Sequence, residues 1–323
     1  MSIAVLGSGA WGTALATMLA DSDVEVTLWG RDQEIIDDIN LKHRNPTYLG
    51  DISLIKDLKA TTELESACRA SIILCVTPAQ TFANLATLIQ PMVGEDARLV
   101  LCAKGIDKAS GKLLHEVAAE VFGKSRVSAL SGPSFAADVA RGLPTAVSLA
   151  ASTRQTASQL AGALSRPTFR IYATDDLMGV ETGGALKNVL ALAVGIARGL
   201  GLGASAEAAL IARGFAELNK VAQAKGARAE TLAGLSGLGD LVLTCSSPQS
   251  RNFSYGVAIA QGKDLQDLPL SEGVHTAALA LKLATDYGIE APIIEMIVKV
   301  LEAQITPADA VKVLLARPLK EER

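Results

Sequence analysis

The sequence predicts an α/β fold: an N-terminal parallel sheet domain wound with helices, followed by an all-α C-terminal domain. Three observations predict it. Up to about Leu177, short apolar runs alternate with helical segments, the pattern of parallel strands joined by right-handed helical crossovers. Beyond Leu177, helical periodicity continues with almost no strand signal. Hydrophobic residues make up 49% of the chain but aromatics only 4%. The apolar mass is therefore Ala, Leu, Val and Ile, which suits helices packed on a buried sheet. A chain of 323 residues is long enough for two cores. The expected division is 1–177 for the sheet domain and 178–323 for the helical one.

Residues 3–6 form a short apolar run that stops at glycine, the mark of a buried strand. Residues 11–20, rich in Ala and Leu, read as a helix. Val24, Val26 and Leu28 alternate with polar residues in a second strand that ends at Trp29-Gly30. Residues 72–76 give a third strand, stopped by Pro78, and 98–102 and 127–130 give two more. Weaker strand signals lie at 145–149 and 169–172. Helices are expected between strands at 80–90 and 113–122. In the second half they are expected at 185–199, 206–225, 254–261, 273–287 and 292–301, with Pro307 opening a last one.

Bulk properties narrow the function. A formal net charge of −4 provides no basic field for nucleic acid or anionic lipid. Cys68, Cys75, Cys102 and Cys245 form no C-x-x-C pair and no disulfide framework, which points to reduced thiols in a cytoplasmic enzyme. Met1-Ser2-Ile3 has no basic leader and runs straight into a strand, so no signal peptide is expected. The most apolar stretch, 185–200, contains Lys187, Asn188 and Arg198, and no membrane insertion is expected from it. Histidine is scarce: His43, His115 and His275 sit in no polar motif. His115 reads as structural, and proton transfer falls to a lysine. No metal-ligand cluster is visible.

Gly7-Ser8-Gly9-Ala10-Trp11-Gly12 is a G-x-G-x-x-G run between the first strand and the first helix, the context in which it binds a dinucleotide in a Rossmann-type fold. Gly7 permits a tight turn, Gly9 lets the backbone approach a pyrophosphate, and Gly12 lets helix and strand pack closely. Just beyond the end of the second strand come Arg31-Asp32. An arginine there accommodates a ribose 2′-phosphate, whereas an acid binds the 2′-hydroxyl. Arg31 therefore favours NADP(H), with NAD(H) also used, while Asp32 leaves the opposite reading open.

A second site is expected in the helical half. Lys187 and Asn188 open an apolar helix, where a buried lysine is costly unless paired or used. Asp240, in Gly237-Leu238-Gly239-Asp240-Leu241, is a candidate ion partner for Lys187. Ser250-Arg251-Asn252 offers a forked cation with hydrogen-bonding neighbours, suited to a substrate phosphate.

Taken together, these motifs resemble the bacterial form of the NAD(P)-dependent glycerol-3-phosphate dehydrogenase family, over nearly the whole chain. The likeness also includes Ser131-Gly132-Pro133-Ser134-Phe135-Ala136. The resemblance implies hydride transfer between NAD(P)H and dihydroxyacetone phosphate, giving sn-glycerol 3-phosphate for phospholipid synthesis, in a cytoplasmic homodimer. It implies Lys187 as acid and base, with Asp240 and Asn188 beside it and Lys104 touching substrate and cofactor. Gly132, Ser134, Ser250, Arg251 and Asn252 become substrate contacts. Ala10, Trp11, Arg31, Ala136, Arg251, Leu270 and Glu272 become cofactor contacts. The chain departs from the family at Gly50-Asp51, Asp138, Arg198 and Ser205, and Arg198 adds a positive charge near the second site. Alternatives are a 3-hydroxyacid dehydrogenase of the same architecture, a cysteine-dependent nucleotide-sugar dehydrogenase and a redox-sensing regulator.

Overall fold

The computed structural model describes residues 1–20, 24–266, 268 and 271–318. The first half is built on an eight-stranded sheet: β1 (Ser2–Leu6), β2 (Glu25–Trp29), β3 (Lys59–Thr61), β4 (Ile72–Cys75), β5 (Arg98–Leu101), β6 (Val127–Ser131), β7 (Thr145–Ala151) and β8 (Phe169–Thr174), in the order β3-β2-β1-β4-β5-β6-β7-β8. β1 runs parallel to β2, with Ser2 opposite Glu25 and Leu6 opposite Trp29, and parallel to β4 on its other side. Its Ile3, Ala4, Val5 and Leu6 are all buried because helices cover both faces of the sheet.

The expected α/β class holds, with two differences in detail. β6 and β7 pair antiparallel, Ser128 facing Ala151, where the alternating pattern predicts parallel neighbours throughout. Only the short helix Ala136–Ala140 separates them, and it does not return the chain to the start of the sheet. The edge strand β3 escapes the sequence pattern because Lys59-Ala60-Thr61 contains no apolar run and is held by backbone pairing to β2.

The second half is helical and is organised around one helix, Leu177–Gly199, whose residues from Gly179 to Ala197 are all buried. Its length and hydropathy match a membrane span, but the apolar stretch lies wholly inside the protein. The sequence predicts its start at residue 185, with Gly183-Gly184 at the opening of the helix. It starts eight residues earlier, at Leu177, where the Asp176 carboxylate accepts the Gly179 N–H at 2.8 Å as a cap. Around it pack the helices Ala204–Ala224, Asp240–Ser246, Arg251–Ala260, Glu272–Asp286 and Pro292–Leu301. Contact with Arg251–Ala260 is backbone to backbone. A Cβ on Gly195 would lie 2.1 Å from the Phe253 carbonyl oxygen, and one on Gly256 would lie 2.2 Å from that of Leu192.

Candidate active site

The glycine loop leaves the C-terminal end of β1, between β2 on one side and β4 on the other. Here successive strands turn to opposite sides of the sheet, which opens a ligand crevice. Gly7 has φ +129°, and a Cβ there would sit 3.1 Å from the Val76 carbonyl carbon and oxygen. A Cβ on Gly12 would lie 1.8 Å from the Gly7 oxygen, so the loop must close on a bare helix. A Cβ on Gly9 would meet nothing within 4 Å. That open face, beside the N-terminus of the helix Ala10–Ala20, is the shape a pyrophosphate requires.

Asn45 braces the loop from below. Fully buried, it donates to the Ser8 carbonyl at 2.9 Å and to Thr13 Oγ1 at 2.8 Å. It stands at the entry to the segment expected to differ from the family, which folds as a single turn, Pro46–Leu49, ended by Gly50 at φ +59°. Arg31 is exposed just beyond β2. Its neighbour Asp32 is committed elsewhere: its carboxylate caps the next helix, accepting from Glu34 N–H at 3.0 Å and Ile35 N–H at 3.4 Å. Ala10 and Trp11 open the helix behind the loop, and the helix begun by Ala136 packs against it.

The second cluster joins both halves. Lys187 projects from the central helix, and its ammonium donates to Asp240 Oδ1 at 2.6 Å and Thr244 Oγ1 at 2.5 Å. Lys104, in the loop after β5, donates to the other carboxylate oxygen, Asp240 Oδ2, at 2.7 Å. Asp240 thus bridges two lysines 136 and 53 residues away in the chain. Lys104 also donates to the Gly132 carbonyl at 3.2 Å, which accepts the Ser134 hydroxyl at 3.0 Å. Burial pulls the Lys187 ammonium down to about 8; Asp240 opposes that, and the Lys104 charge adds to it. An amine in this range gives and takes protons near neutral pH.

Asn188, next on the helix, accepts from Asn252 Nδ2 at 3.0 Å. The Asn252 oxygen accepts from Ser271 Oγ at 2.6 Å and Gly273 N–H at 2.8 Å. Most of the Asn252 carboxamide is therefore spent on locking Asn188 and the start of the helix Glu272–Asp286. Ser250 caps the helix opened by Arg251, accepting from Phe253 N–H at 3.2 Å. Arg251 itself is exposed. Glu272 Oε2 is buried without a hydrogen-bond partner and faces Gly105, beside Lys104. Burial raises its carboxyl above the usual range, against the pull of His275 and Arg251. Leu270 lies outside the described residues. Arg198 does not disturb this cluster: both its Nε and Nη2 reach the Glu207 carboxylate, and it stacks over Phe253 at 5.6 Å.

Thr244 escapes sequence reasoning as a site residue. Its signal is its spacing, one helical turn after Asp240 on the same face. Cys245 sits beside Lys187, but burial pushes its thiol up to about 12, which disfavours a thiolate nucleophile.

Comparison with known proteins places the whole chain in one family. Residues 2–157 match the family model described as NAD-dependent glycerol-3-phosphate dehydrogenase N-terminus, and residues 176–312 match its C-terminus counterpart. The glycerol-3-phosphate dehydrogenase [NAD(P)+] of Brucella ovis is 54% identical over 99% of this chain and 98% of its own. That of a Chelativorans species is 50% identical over the same shares. The crystal structure of glycerol-3-phosphate dehydrogenase from Coxiella burnetii superposes with a TM-score of 0.92 at 39% identity, covering 98% of this chain and 99% of that one. The chain belongs to the NAD-dependent glycerol-3-phosphate dehydrogenase family.

Proposed function

We propose that this chain interconverts dihydroxyacetone phosphate and sn-glycerol 3-phosphate, with Lys187 as the acid and base at the C2 oxygen. The observation that carries the assignment is the buried ammonium, held by Asp240 and Thr244 and brought down to about 8. Gly7, Gly9, Ala10, Trp11, Gly12 and Ala136 would hold NADP(H) or NAD(H), with Arg31 at the ribose end and Lys104, Arg251, Leu270 and Glu272 toward the nicotinamide. Bound there, the dinucleotide supplies or accepts the hydride.

In the direction of reduction, Lys187 donates to the ketone oxygen, stabilises the negative charge that builds on it and releases its proton to it. In oxidation the neutral amine takes the hydroxyl proton. Asp240 fixes the nitrogen in place while keeping it protonatable. Lys104 and Arg251, with Gly132, Ser134 and Ser250, anchor the remote phosphate and so orient C2. Asn188, locked by Asn252, borders the reacting group. The same reading makes the protein a cytoplasmic homodimer that supplies glycerol 3-phosphate for phospholipid synthesis.

Lys187→Ala tests the assignment. Turnover with dihydroxyacetone phosphate should fall by roughly 10²–10⁴-fold, while the dissociation constant for NADPH stays nearly unchanged. Retention of wild-type turnover would remove Lys187 from the chemistry. Unphosphorylated and carboxylated analogues, assayed in parallel, separate this substrate from a 3-hydroxyacid.

A further inference from the structure

A second, largely buried pair, Glu181 and His115, lies near Lys104, and Glu181 shares a small cavity with that lysine. Glu181, on the central helix, accepts both the backbone N–H of His115 at 3.0 Å and a contact from the ring nitrogen Nδ1 at 2.6 Å, through its Oε2. The Glu181 side chain is 6% exposed and that of His115 15%, so the histidine is the end of the pair nearer solvent. Glu116 and Lys225 also face the ring, and they lie 3.8 Å from each other. Burial pulls the imidazole down, but Glu181 and Glu116 outweigh it and leave the ring above its usual value.

The other Glu181 oxygen, Oε1, is buried without a hydrogen-bond partner, and so is Ser131 Oγ. Both residues line one small, largely closed cavity of about 10 Å³, and Lys104 forms part of its wall. That is room for a single water with polar neighbours. Ser131 and Lys104 are close together there. A Cβ on Gly184 would lie 2.6 Å from Ser131 Oγ and 3.4 Å from Lys104 Cγ.

We propose that one ordered water in this cavity joins Glu181 and Ser131 to Lys104, and that the His115–Glu181 pair is the inlet through which Lys187 regains its proton from solvent while ligands fill the site. The inference rests on Lys187 as the acid. After Lys187 has protonated the substrate oxygen it is a neutral amine. Lys104 gives a proton to the Asp240 carboxylate, which hands it on to the Lys187 amine. The water then reprotonates Lys104, the imidazolium protonates the Glu181 carboxylate, Glu181 passes that proton to the water, and the imidazole takes a new proton from solvent. Each N–H or O–H bond broken is replaced by one formed, no electrons move, and the net change is one solvent proton delivered to Lys187. His115 and Glu181 are positioning residues in this scheme, since neither touches substrate.

The test is a single turnover of NADPH and dihydroxyacetone phosphate, followed at once by loss of reduced-nicotinamide absorbance and by a pH indicator in weak buffer. In the wild type, proton uptake should keep step with the absorbance change. In His115→Gln and Glu181→Gln the absorbance change persists but uptake lags until product release, and added imidazole restores the timing in His115→Gln. Uptake in step with absorbance in both variants would overturn the inlet. His115→Gln, at the more exposed of the two residues, keeps the test valid if Glu181→Gln does not fold. A wild type that shows no absorbance change would instead refute the activity, so the two failures are distinguishable.

Discussion

Replacing Asp240 by Asn tests the electrostatic balance that sets Lys187. The carboxylate lies 2.6 Å from the Lys187 nitrogen and 2.7 Å from that of Lys104. Removing its charge leaves burial and the neighbouring ammonium acting on Lys187 unopposed. At an effective dielectric constant near 20, a unit charge at that distance is worth about 6 kcal/mol. At 1.36 kcal/mol for each pKa unit, the upper limit is about four units. Relaxation and entering water reduce this, and a fall of at least about one unit from about 8 is expected. On the proposed mechanism, reduction of dihydroxyacetone phosphate needs the protonated lysine, so wild-type kcat should decline as pH rises through about 8. In Asp240→Asn the decline should begin at least about one unit lower, with the loss above it growing tenfold per unit. The assay is kcat against pH for both proteins under saturating ligands, with thermal unfolding to confirm folding. Superimposable profiles would refute the reasoning.

The glycine loop gives a contrast between two alanines. Gly9→Ala meets open space, so it should leave thermal stability intact and raise the KM for the coenzyme, whereas Gly12→Ala, driven 1.8 Å from the Gly7 oxygen, should lower the melting temperature. Arg31→Ala should shift the ratio of kcat/KM values from NADPH toward NADH, because Asp32 is occupied as a helix cap; an unchanged ratio excludes Arg31 from cofactor choice. Glu217, buried and accepting from Ile293 and Ile294 N–H, is raised from 4.5 to about 7 by burial. Its native pKa exceeds the unfolded one, so its contribution is full below about 4.5 and is lost as pH rises through about 7, on the order of 3 kcal/mol. Glu217→Gln should narrow the difference in unfolding free energy between pH 5 and pH 8, measured in urea.

What was legible in the sequence is what is local or costly. β1 and the glycine loop are contiguous, and each glycine has a steric reason within a few residues. Lys187 and Asp240 lie far apart in sequence, yet their pairing follows from cost: a lysine on an apolar helix needs a partner, and a glycine-flanked aspartate is the candidate. Details set by tertiary context were not legible. The reversal between β6 and β7 depends on how a five-residue helix redirects the chain. The early start of the central helix depends on Gly183 and Gly184 fitting against Ser236 and Ser131, where larger residues would clash. Asn252 reads as a phosphate donor from its neighbours, but its carboxamide is turned to Asn188, Ser271 and Gly273. His115 reads as structural from its helix, and nothing near it in sequence announces Glu181.

The glycine contact between the central helix and Arg251–Ala260 has a mechanical consequence. With Gly195 and Gly256 seated against opposing carbonyls, neither helix has a cushion of side chains on which to slide. Lys187 and Arg251 are therefore mounted on what behaves as one rigid calliper. If both side chains hold one ligand, as proposed, the span between them is set by main-chain atoms and does not stretch for a longer molecule.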